Sequence, residues 1–229
     1  MSFRLSYRAD PGNPWFSWQY VRDNFDTILA ALREHTSLTL RAVLIATLIA
    51  VPLAVAAYWF RGLAGPILAV TGVLYTIPSL ALFAFLAPYL GIGVATVLTV
   101  VVLYALLVIV RNALAGLTQV PAEVREAAEG MGYGRWGRLF RIDLPLALPG
   151  ILTGLRLATV STVALVTVGV VVGQGGLGQL IFAGFQNNFY KAQIMTGTLL
   201  CVLLALVFDL ALAGVGRLLT PWLRRRSAA

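Results

Sequence analysis

Long apolar stretches alternate with short polar connections along the chain, and this pattern predicts membrane-spanning helices. The 49 residues from Gly62 to Val110 contain no charged side chain. At 1.5 Å per residue they are too long for one crossing, so we expect a hairpin whose turn lies at residues 87–93. The other apolar stretches each suit one crossing of about 20 residues. The predicted spans are 38–60, 64–86, 93–113, 146–172 and 193–216.

Composition supports a membrane protein. Of the 229 residues, 59% are hydrophobic and only 11% are charged, and the mean hydropathy is +0.87. Soluble domains have about 25% charged residues, so this composition argues against a soluble enzyme or a disordered chain. The fold class that we predict is an all-α integral membrane protein with five transmembrane helices.

The distribution of basic residues predicts the orientation. The net charge is +8, and the arginines punctuate the apolar stretches instead of forming the single basic stripe of a nucleic-acid-binding protein. Residues 111–145 carry five arginines, whereas residues 173–192 carry only Lys191. The positive-inside rule therefore places the 111–145 loop and the C-terminus in the cytoplasm and, with five spans, the N-terminus outside. The arginines of the N-terminal segment oppose this orientation.

Three regions are expected: an N-terminal segment (1–35), the transmembrane domain (36–220) and a basic cytoplasmic tail (221–229). In the first region, Asn13-Pro14 has the pattern of the start of a helix over residues 13–34, and Trp15 and Trp18 begin an apolar stripe that continues to Leu32. The stripe predicts an amphipathic helix in the membrane interface. An ordinary amphipathic helix packed on the bundle is the alternative.

The chain offers few residues for catalysis or metal binding. His35 is the only histidine, and at the edge of a span it suggests a solvated, interfacial side chain. Cys201 is the only cysteine, so neither a disulfide nor a CxxC metal site is expected. There is no G-x-x-x-x-G-K-[ST] loop to hold ATP. We therefore expect no catalytic residue, metal or cofactor in this chain.

The polar loop at 114–145 contains a spaced motif. Glu126-Ala127-Ala128, Gly132, and then Ile142, Leu144 and Pro145 read E-A-A-x3-G-x9-I-x-L-P. This resembles, at every fixed position, the EAA loop of the permease subunits of bacterial ABC importers. The resemblance implies a helix that couples the membrane domain to a separate ATPase subunit, which binds ATP and Mg²⁺.

The residues of this loop also suit docking onto a partner. Pro121 can start a short helix, the two alanines leave its surface shallow, and Gly132 can end it as a C′ glycine. Arg125 and Glu126 would then make directional contacts at the rim of the partner's groove. The predicted coupling residues are Arg125, Glu126, Ala127, Ala128, Gly132, Leu144 and Pro145.

A glycine-rich segment lies between the last two predicted spans. Val172 to Ile181 read V-G-x-G-G-L-G-x-x-I, which is similar to importers for methionine, phosphonate and quaternary amines. We expect an irregular break whose backbone polar groups face a solute path. The residues predicted for this outer gate are Gly173, Gly175, Gly176 and Gly178.

Two further segments, residues 75–82 and 154–156, most resemble the osmoprotectant permeases for glycine betaine, choline or carnitine. The alternative cargo is methionine or another small zwitterion. A self-sufficient secondary transporter is disfavoured because Arg156 and Asp209 are the only charges expected within the membrane. The aromatic residues of the spans are scattered, so we expect weak binding along the path. The residues predicted to line it are Tyr75, Thr76, Pro78, Ser79, Thr159, Ser161 and Thr162.

The resemblance also implies partners and location. Five helices are too few to enclose and close a path, so a second permease subunit, identical or homologous, is expected. Two ATPase subunits and a separate extracytoplasmic solute-binding protein complete the expected importer. It would lie among lipids in the bacterial cytoplasmic membrane, without nucleic acid.

Arg156 and Asp209 should lie at one depth on consecutive helices, which favours an ion pair between them. The alternative is that Arg156 snorkels to the interface and Asp209 faces a wet cavity.

Overall fold

The computed structural model describes residues 12–221, and within this range the chain is helical without any strand. A π-helical turn (Leu139–Asp143) precedes the eighth α-helix and a 3-10 turn (Gly169–Val172) follows it. The α-helices are α1 (Trp18–Asp23), α2 (Phe25–Trp59), α3 (Arg61–Thr76), α4 (Ser79–Leu90), α5 (Val94–Thr118), α6 (Ala122–Gly130), α7 (Arg135–Arg138), α8 (Leu144–Val168), α9 (Leu177–Gln186) and α10 (Lys191–Leu219).

Four helical runs in the described part of the chain are long and apolar enough to cross a membrane: α2, α5, α10 and the run from Arg135 to Val172. Helices α3 and α4 form a fifth span if the pair is counted together, although they bend by 96° at Ile77-Pro78. Pro78 lacks a backbone N–H, and its ring favours an extended conformation for the residue before it. The predicted span at 64–86 therefore corresponds to a bent pair of helices, because the chain turns sharply in its middle.

The first span is longer than the sequence indicated. Helix α2 continues without interruption for 35 residues, so residues 25–34 belong to it and not to a separate interfacial helix. Only the short α1 precedes it, capped by Ser17, whose side chain accepts the N–H of Tyr20. Asn13 does not cap this helix. Its side chain instead bonds to the backbone of Phe189 and Lys191, and so ties the N-terminal segment to the start of α10.

Helix α5 lies at the centre of the bundle, packed against α2, α8, α3 and α4. Its contact with α8 is close because both helices carry glycine there. A Cβ atom on Gly116 would lie 2.7 Å from the carbonyl oxygen of Ala147, and one on Gly150 would lie 2.8 Å from the Cα of Gly116. Such backbone contact between small residues is a common way for membrane helices to associate.

The C-terminal part contains a helix that the sequence pattern did not indicate. Helix α9 follows the glycine-rich segment and packs against α10, α2 and α8. Helix α10 is the most exposed span, since no residue of its most apolar 18-residue window is buried within the chain. Its leucines and valines therefore present an apolar face to lipid or to another subunit. The predicted basic tail lies, apart from Pro221, outside the described residues, and so do its Arg224, Arg225 and Arg226.

Candidate functional site

Helix α6 carries the E-A-A motif and has well-defined ends. Pro121 is its N-cap, and Glu123 lies in its first turn, where a carboxylate interacts favourably with the helix dipole. At the other end Gly132 has a φ of +81° and donates its N–H to Glu129, while Tyr133 donates to Ala128. These two bonds form a Schellman motif with glycine at C′, so the predicted role of Gly132 in ending the helix is confirmed.

The two alanines of the motif face opposite environments. Ala128 is buried in the chain, whereas Ala127 and Glu126 are exposed. Beyond the end of the helix, Met131 is 69% exposed. A partner protein can therefore reach Glu126, Ala127 and the Met131 side chain, but not Ala128.

Arg125 is bonded within its own chain, and its expected contact with a partner stays a prediction. It donates to the carbonyl of Val120 at 2.8 Å and to the hydroxyl of Tyr58 at 3.4 Å. Both acceptors belong to this chain, and Tyr58 lies in the last turn of α2. The Arg125 side chain thus fastens the coupling loop to the end of the first span.

A second set of contacts, which sequence reasoning missed, holds the remainder of the loop. Arg138 bonds to Glu129 of α6 and donates through Nε to the carboxylate of Asp143 at 3.3 Å. The Asp143 side chain is completely buried. The sequence did contain a signal for this contact, since Asp143 stands between the apolar residues Ile142 and Leu144. A charge in such surroundings is expected to be buried and therefore to need a partner.

Aromatic packing joins this loop to α2. The Trp136 and Trp59 rings meet edge to face with centroids 4.6 Å apart, and the Arg135 guanidinium lies 4.2 Å from the Trp59 ring centroid. After the π-helical turn, Leu144 and Pro145 begin α8, and Leu144 packs into an apolar cluster around Ala113 and Leu117. The loop is therefore packed against α2 and runs directly into α8, so it can transmit a displacement to both.

The glycine-rich segment has the predicted break but lies in a different environment. Gly173 and Gly176 have φ values of +77° and +50°, and only Gly173 is exposed. Gly175, Gly176 and Gly178 are buried against this chain. A Cβ atom on Gly178 would lie 2.3 Å from the carbonyl oxygen of Thr167. In this subunit only Gly173 is open, because Gly176 packs on α2, Gly178 on α8 and Gly175 on the 3-10 turn at Val170. That these glycines form an outer gate stays a prediction.

His35 holds this break in place. It is fully buried, and its Nδ1 accepts the N–H of Leu177 at 3.3 Å, so its Nε2 carries the proton and donates to the carbonyl of Val163 at 3.0 Å. The neighbouring Glu34 accepts the N–H of Gly176 at 3.3 Å. The predicted solvated role of His35 is wrong, because α2 begins ten residues earlier and carries the histidine into the bundle.

The predicted path residues fall into two groups. Tyr75, Thr76 and Pro78 are exposed at the bend between α3 and α4, and Ser79 is half-buried there. The Tyr75 ring packs on Tyr104, whose hydroxyl donates to the carbonyl of Ile77. This bend is an irregular, polar site on an accessible surface.

The second group lies on α8. Thr159 and Thr162 are buried, and the hydroxyl of Thr159 donates to Leu155 within its own helix. Ser161 is half-buried and donates to Ala158. The structure does not bring these side chains to the surface that carries Tyr75 and Thr76. Thr159 and Thr162 are therefore packed inside this subunit, and their role in lining a path stays a prediction.

The two intramembrane charges form the predicted pair. Arg156 donates from Nε and Nη2 to the two carboxylate oxygens of Asp209, both at 2.8 Å. The side chains remain 40% and 30% exposed, so the bidentate pair joins α8 to α10 near the surface of the subunit. Lipid tails cannot pair with either charged group, so the arginine and the aspartate neutralise each other. The ion-pair prediction is confirmed.

Comparisons with known proteins decide the family. Residues 46–225 match the family described as binding-protein-dependent transport system inner membrane component. The chain belongs to this family. It is a multi-pass membrane permease subunit, a transport component and not an enzyme, and a permease of this kind works with an ATPase and a substrate-binding protein.

Two curated permeases are similar over most of their length. The osmoprotectant import permease protein OsmW of Salmonella typhimurium is 38% identical over 88% of this chain and 96% of its own. The choline transport system permease protein OpuBB of Bacillus subtilis is 34% identical over 89% of this chain and 93% of its own. Among solved structures, the inward-facing MetNI methionine ABC transporter is similar with a TM-score of 0.74 and 23% identity, covering 84% of this chain and 96% of that one. The last likeness concerns the fold alone.

Proposed function

We propose that this permease imports a quaternary-amine compatible solute such as glycine betaine, choline or carnitine. The observation that carries the proposal is the identity of 38% and 34% to an osmoprotectant permease and a choline permease across nearly the whole of each protein. Methionine or another small zwitterion remains the alternative cargo. It rests on the fold shared with the methionine transporter at 23% identity, which carries no information on substrate.

The subunit composition is part of this proposal. Two ATPase subunits would bind ATP and Mg²⁺, a separate extracytoplasmic protein would deliver the solute, and a second permease subunit would complete the path. The exposed apolar face of α10 and the exposed bend at Tyr75 and Pro78 support a second subunit, because one subunit leaves both open. In this arrangement the N-terminus lies outside, and the coupling loop and C-terminus lie in the cytoplasm.

The coupling site would be the exposed part of α6, with Glu126, Ala127 and the capped end at Gly132. Leu144 and Pro145 connect this site to α8, while Arg125 and Ala128 hold it against the chain. The solute would pass the bend at Tyr75, Thr76, Pro78 and Ser79. Because these residues form no aromatic cage, solute recognition would be mainly the task of the binding protein.

The cargo is tested by reconstituting the permease with its ATPase and binding protein in proteoliposomes. We expect ATP-dependent uptake of labelled glycine betaine, choline or carnitine, and no more than background uptake of labelled methionine. Uptake of methionine alone would contradict the proposed solute class. Uptake of any of them without the ATPase would contradict the ATP-driven mechanism.

The coupling site is tested by Gly132→Val. At a φ of +81° a β-branched side chain is strained, at a cost of about 1–2 kcal/mol, so the end of α6 should be displaced from its docking position. We expect transport to fall at least tenfold while the complex still assembles. Gly134→Val is the matched control, since Gly134 has an ordinary φ of −67° and open space around it. Equal transport rates for Gly132→Val and Gly134→Val would show that coupling does not depend on the end of α6.

A further inference from the structure

A basic pocket lies where the ends of the first two spans meet the coupling loop. Its volume is about 390 Å³, and four arginines contribute to its walls together with Tyr58 and Trp59. Arg61 begins α3, Arg125 lies in α6, and Arg135 and Arg138 lie in α7. Four arginines from three separate helices therefore line one concave site.

Three of these four charges are not compensated. Arg138 is bonded to Glu129 and Asp143, so its charge is balanced within the loop. Within residues 12–221, no carboxylate forms an ion pair with Arg61, Arg125 or Arg135. Arg125 bonds only to neutral oxygens, and Arg135 lies over the Trp59 and Phe60 rings. Converging cations that repel one another favour an anion between them.

Two buried donors at the same place also lack acceptors. Among the described residues, neither Nε1 of Trp59 nor Nε of Arg125 has a hydrogen-bond partner, although both atoms are buried. An unsatisfied buried donor costs about 1–3 kcal/mol, so native structures usually provide it with a partner. Both residues line the pocket. Both atoms are closed to the pocket as the side chains stand, so an anion in the pocket would accept from them only after the Trp59 or Arg125 side chain turns toward it.

The surroundings of the pocket correspond to the headgroup level of a membrane. Ala57, Ala64 and Leu114, from the ends of three spans, form its apolar side. The aromatic rings of Phe60 and Trp136 are exposed beside it. Tryptophan and arginine at the ends of spans are typical of the interface between lipid and water, where phosphate groups lie. The acyl chain of a lipid can pack against this apolar side, whereas an acidic side chain of a partner protein cannot.

We propose that this basic pocket binds a phosphate-bearing anion at the headgroup level, supplied by an anionic phospholipid or by free phosphate. Arginine matches phosphate because its planar group donates two parallel hydrogen bonds. Since Arg125 and Arg135 belong to the coupling loop and Arg61 to the second span, a bound phosphate would bridge the loop to the membrane domain. The proposal does not depend on the cargo, and its test uses binding, not transport.

The test measures lipid binding to the purified full chain in neutral detergent by native mass spectrometry. Phosphatidylglycerol is compared with phosphatidylcholine of the same acyl chains, in wild type and in Arg61→Gln and Arg61→Gln/Arg135→Gln variants. The matched control is Arg41→Gln, which removes an exposed arginine from the middle of α2. Within residues 12–221 the Arg61 side chain forms no hydrogen bond, ion pair or aromatic contact, so its substitution should leave the fold intact, which helical circular dichroism checks.

We expect affinity for phosphatidylglycerol to fall about fivefold for the single variant and about 25-fold for the double variant, with no change for Arg41→Gln. Equal losses in all variants, or a double variant that loses neither phosphatidylglycerol binding nor phosphate binding, would overturn the site. Calorimetric titration with inorganic phosphate distinguishes the two sources. Phosphate binding that depends on Arg61 and Arg135, with lipid binding that does not, would assign the pocket to the free anion.

The assembled transporter tests the remaining possibility, that a carboxylate of the ATPase fills the pocket. Phosphatidylglycerol should remain bound after the ATPase subunits associate, and the bound lipid should remain sensitive to the Arg61→Gln/Arg135→Gln change. Displacement of lipid or phosphate by the ATPase would overturn the proposal, because the pocket would then be part of a protein interface.

Discussion

His35 is the side chain whose removal should most directly loosen the glycine-rich break. The change His35→Ala deletes a fully buried ring that bonds to Leu177 and Val163. Losing the acceptor leaves the Leu177 N–H buried and unpaired, at a cost of about 1–3 kcal/mol. The space left by the ring adds a cavity term, and large-to-small changes in cores cost about 2–5 kcal/mol in all. Since the two terms overlap, we expect about 3–4 kcal/mol of lost stability.

Two measurements on the purified chain check this expectation. Unfolding in mixed micelles with increasing dodecyl sulfate gives the loss of stability, and amide hydrogen exchange locates it. Exchange should accelerate at Leu177 and in the first turn of α9, but not in α6. Glu34→Gln is the matched control, because glutamine keeps an oxygen to accept the N–H of Gly176 and should change stability by less than about 1 kcal/mol. Unchanged exchange at Leu177 in His35→Ala would refute the role of the histidine.

Two further predictions concern contacts between the spans. Gly150→Leu should destabilise the chain by about 1–3 kcal/mol, because the leucine side chain would meet the backbone of Gly116. The control Gly72→Leu, at a position with open space, should not change stability in the same micelle titration. Arg156→Gln and Asp209→Asn should each destabilise the subunit. The loss of stability in the double variant should be smaller than the sum of the two single losses, since the second change removes a charge that has already lost its partner. Strict additivity in this double-mutant cycle would contradict an energetic role for the pair.

Features set by local sequence could be predicted well. The end of α6 depends on one glycine at C′ and a few hydrogen bonds within six residues, so the position of Gly132 was sufficient. The same holds for the length of the apolar stretches, which located the four long spans and the bent pair α3 and α4. The pairing of Arg156 with Asp209 was also predictable, because charges in lipid have few alternatives and their depths follow from helix rise.

Features that depend on distant parts of the chain could not be read from local patterns. The burial of His35 requires Gly176, 141 positions later, to approach so closely that a Cβ atom there would lie 2.7 Å from the histidine Cβ. Likewise, hydroxyl-bearing residues on an apolar helix suggest a polar lining, but Thr159 satisfies its hydroxyl on its own backbone and packs inside. Serine and threonine in spans often do so, which makes them poor indicators of a path.

The contacts of the coupling loop determine what a push on α6 can move. Arg138 connects α6 to Asp143 at the start of α8, and the packing of Trp136 on Trp59 connects α7 to the end of α2. Helix α8 in turn touches α5 backbone to backbone at Gly116. Closely packed interiors transmit strain with little compression, so under the proposed coupling a displacement of α6 would move α2, α5 and α8 together. The bent pair α3 and α4 follows α2 after Phe60, packs against α2 and α5, and has a break at Ile77-Pro78. Its bend, beside Tyr75, is therefore the place where relative movement inside the subunit would be easiest.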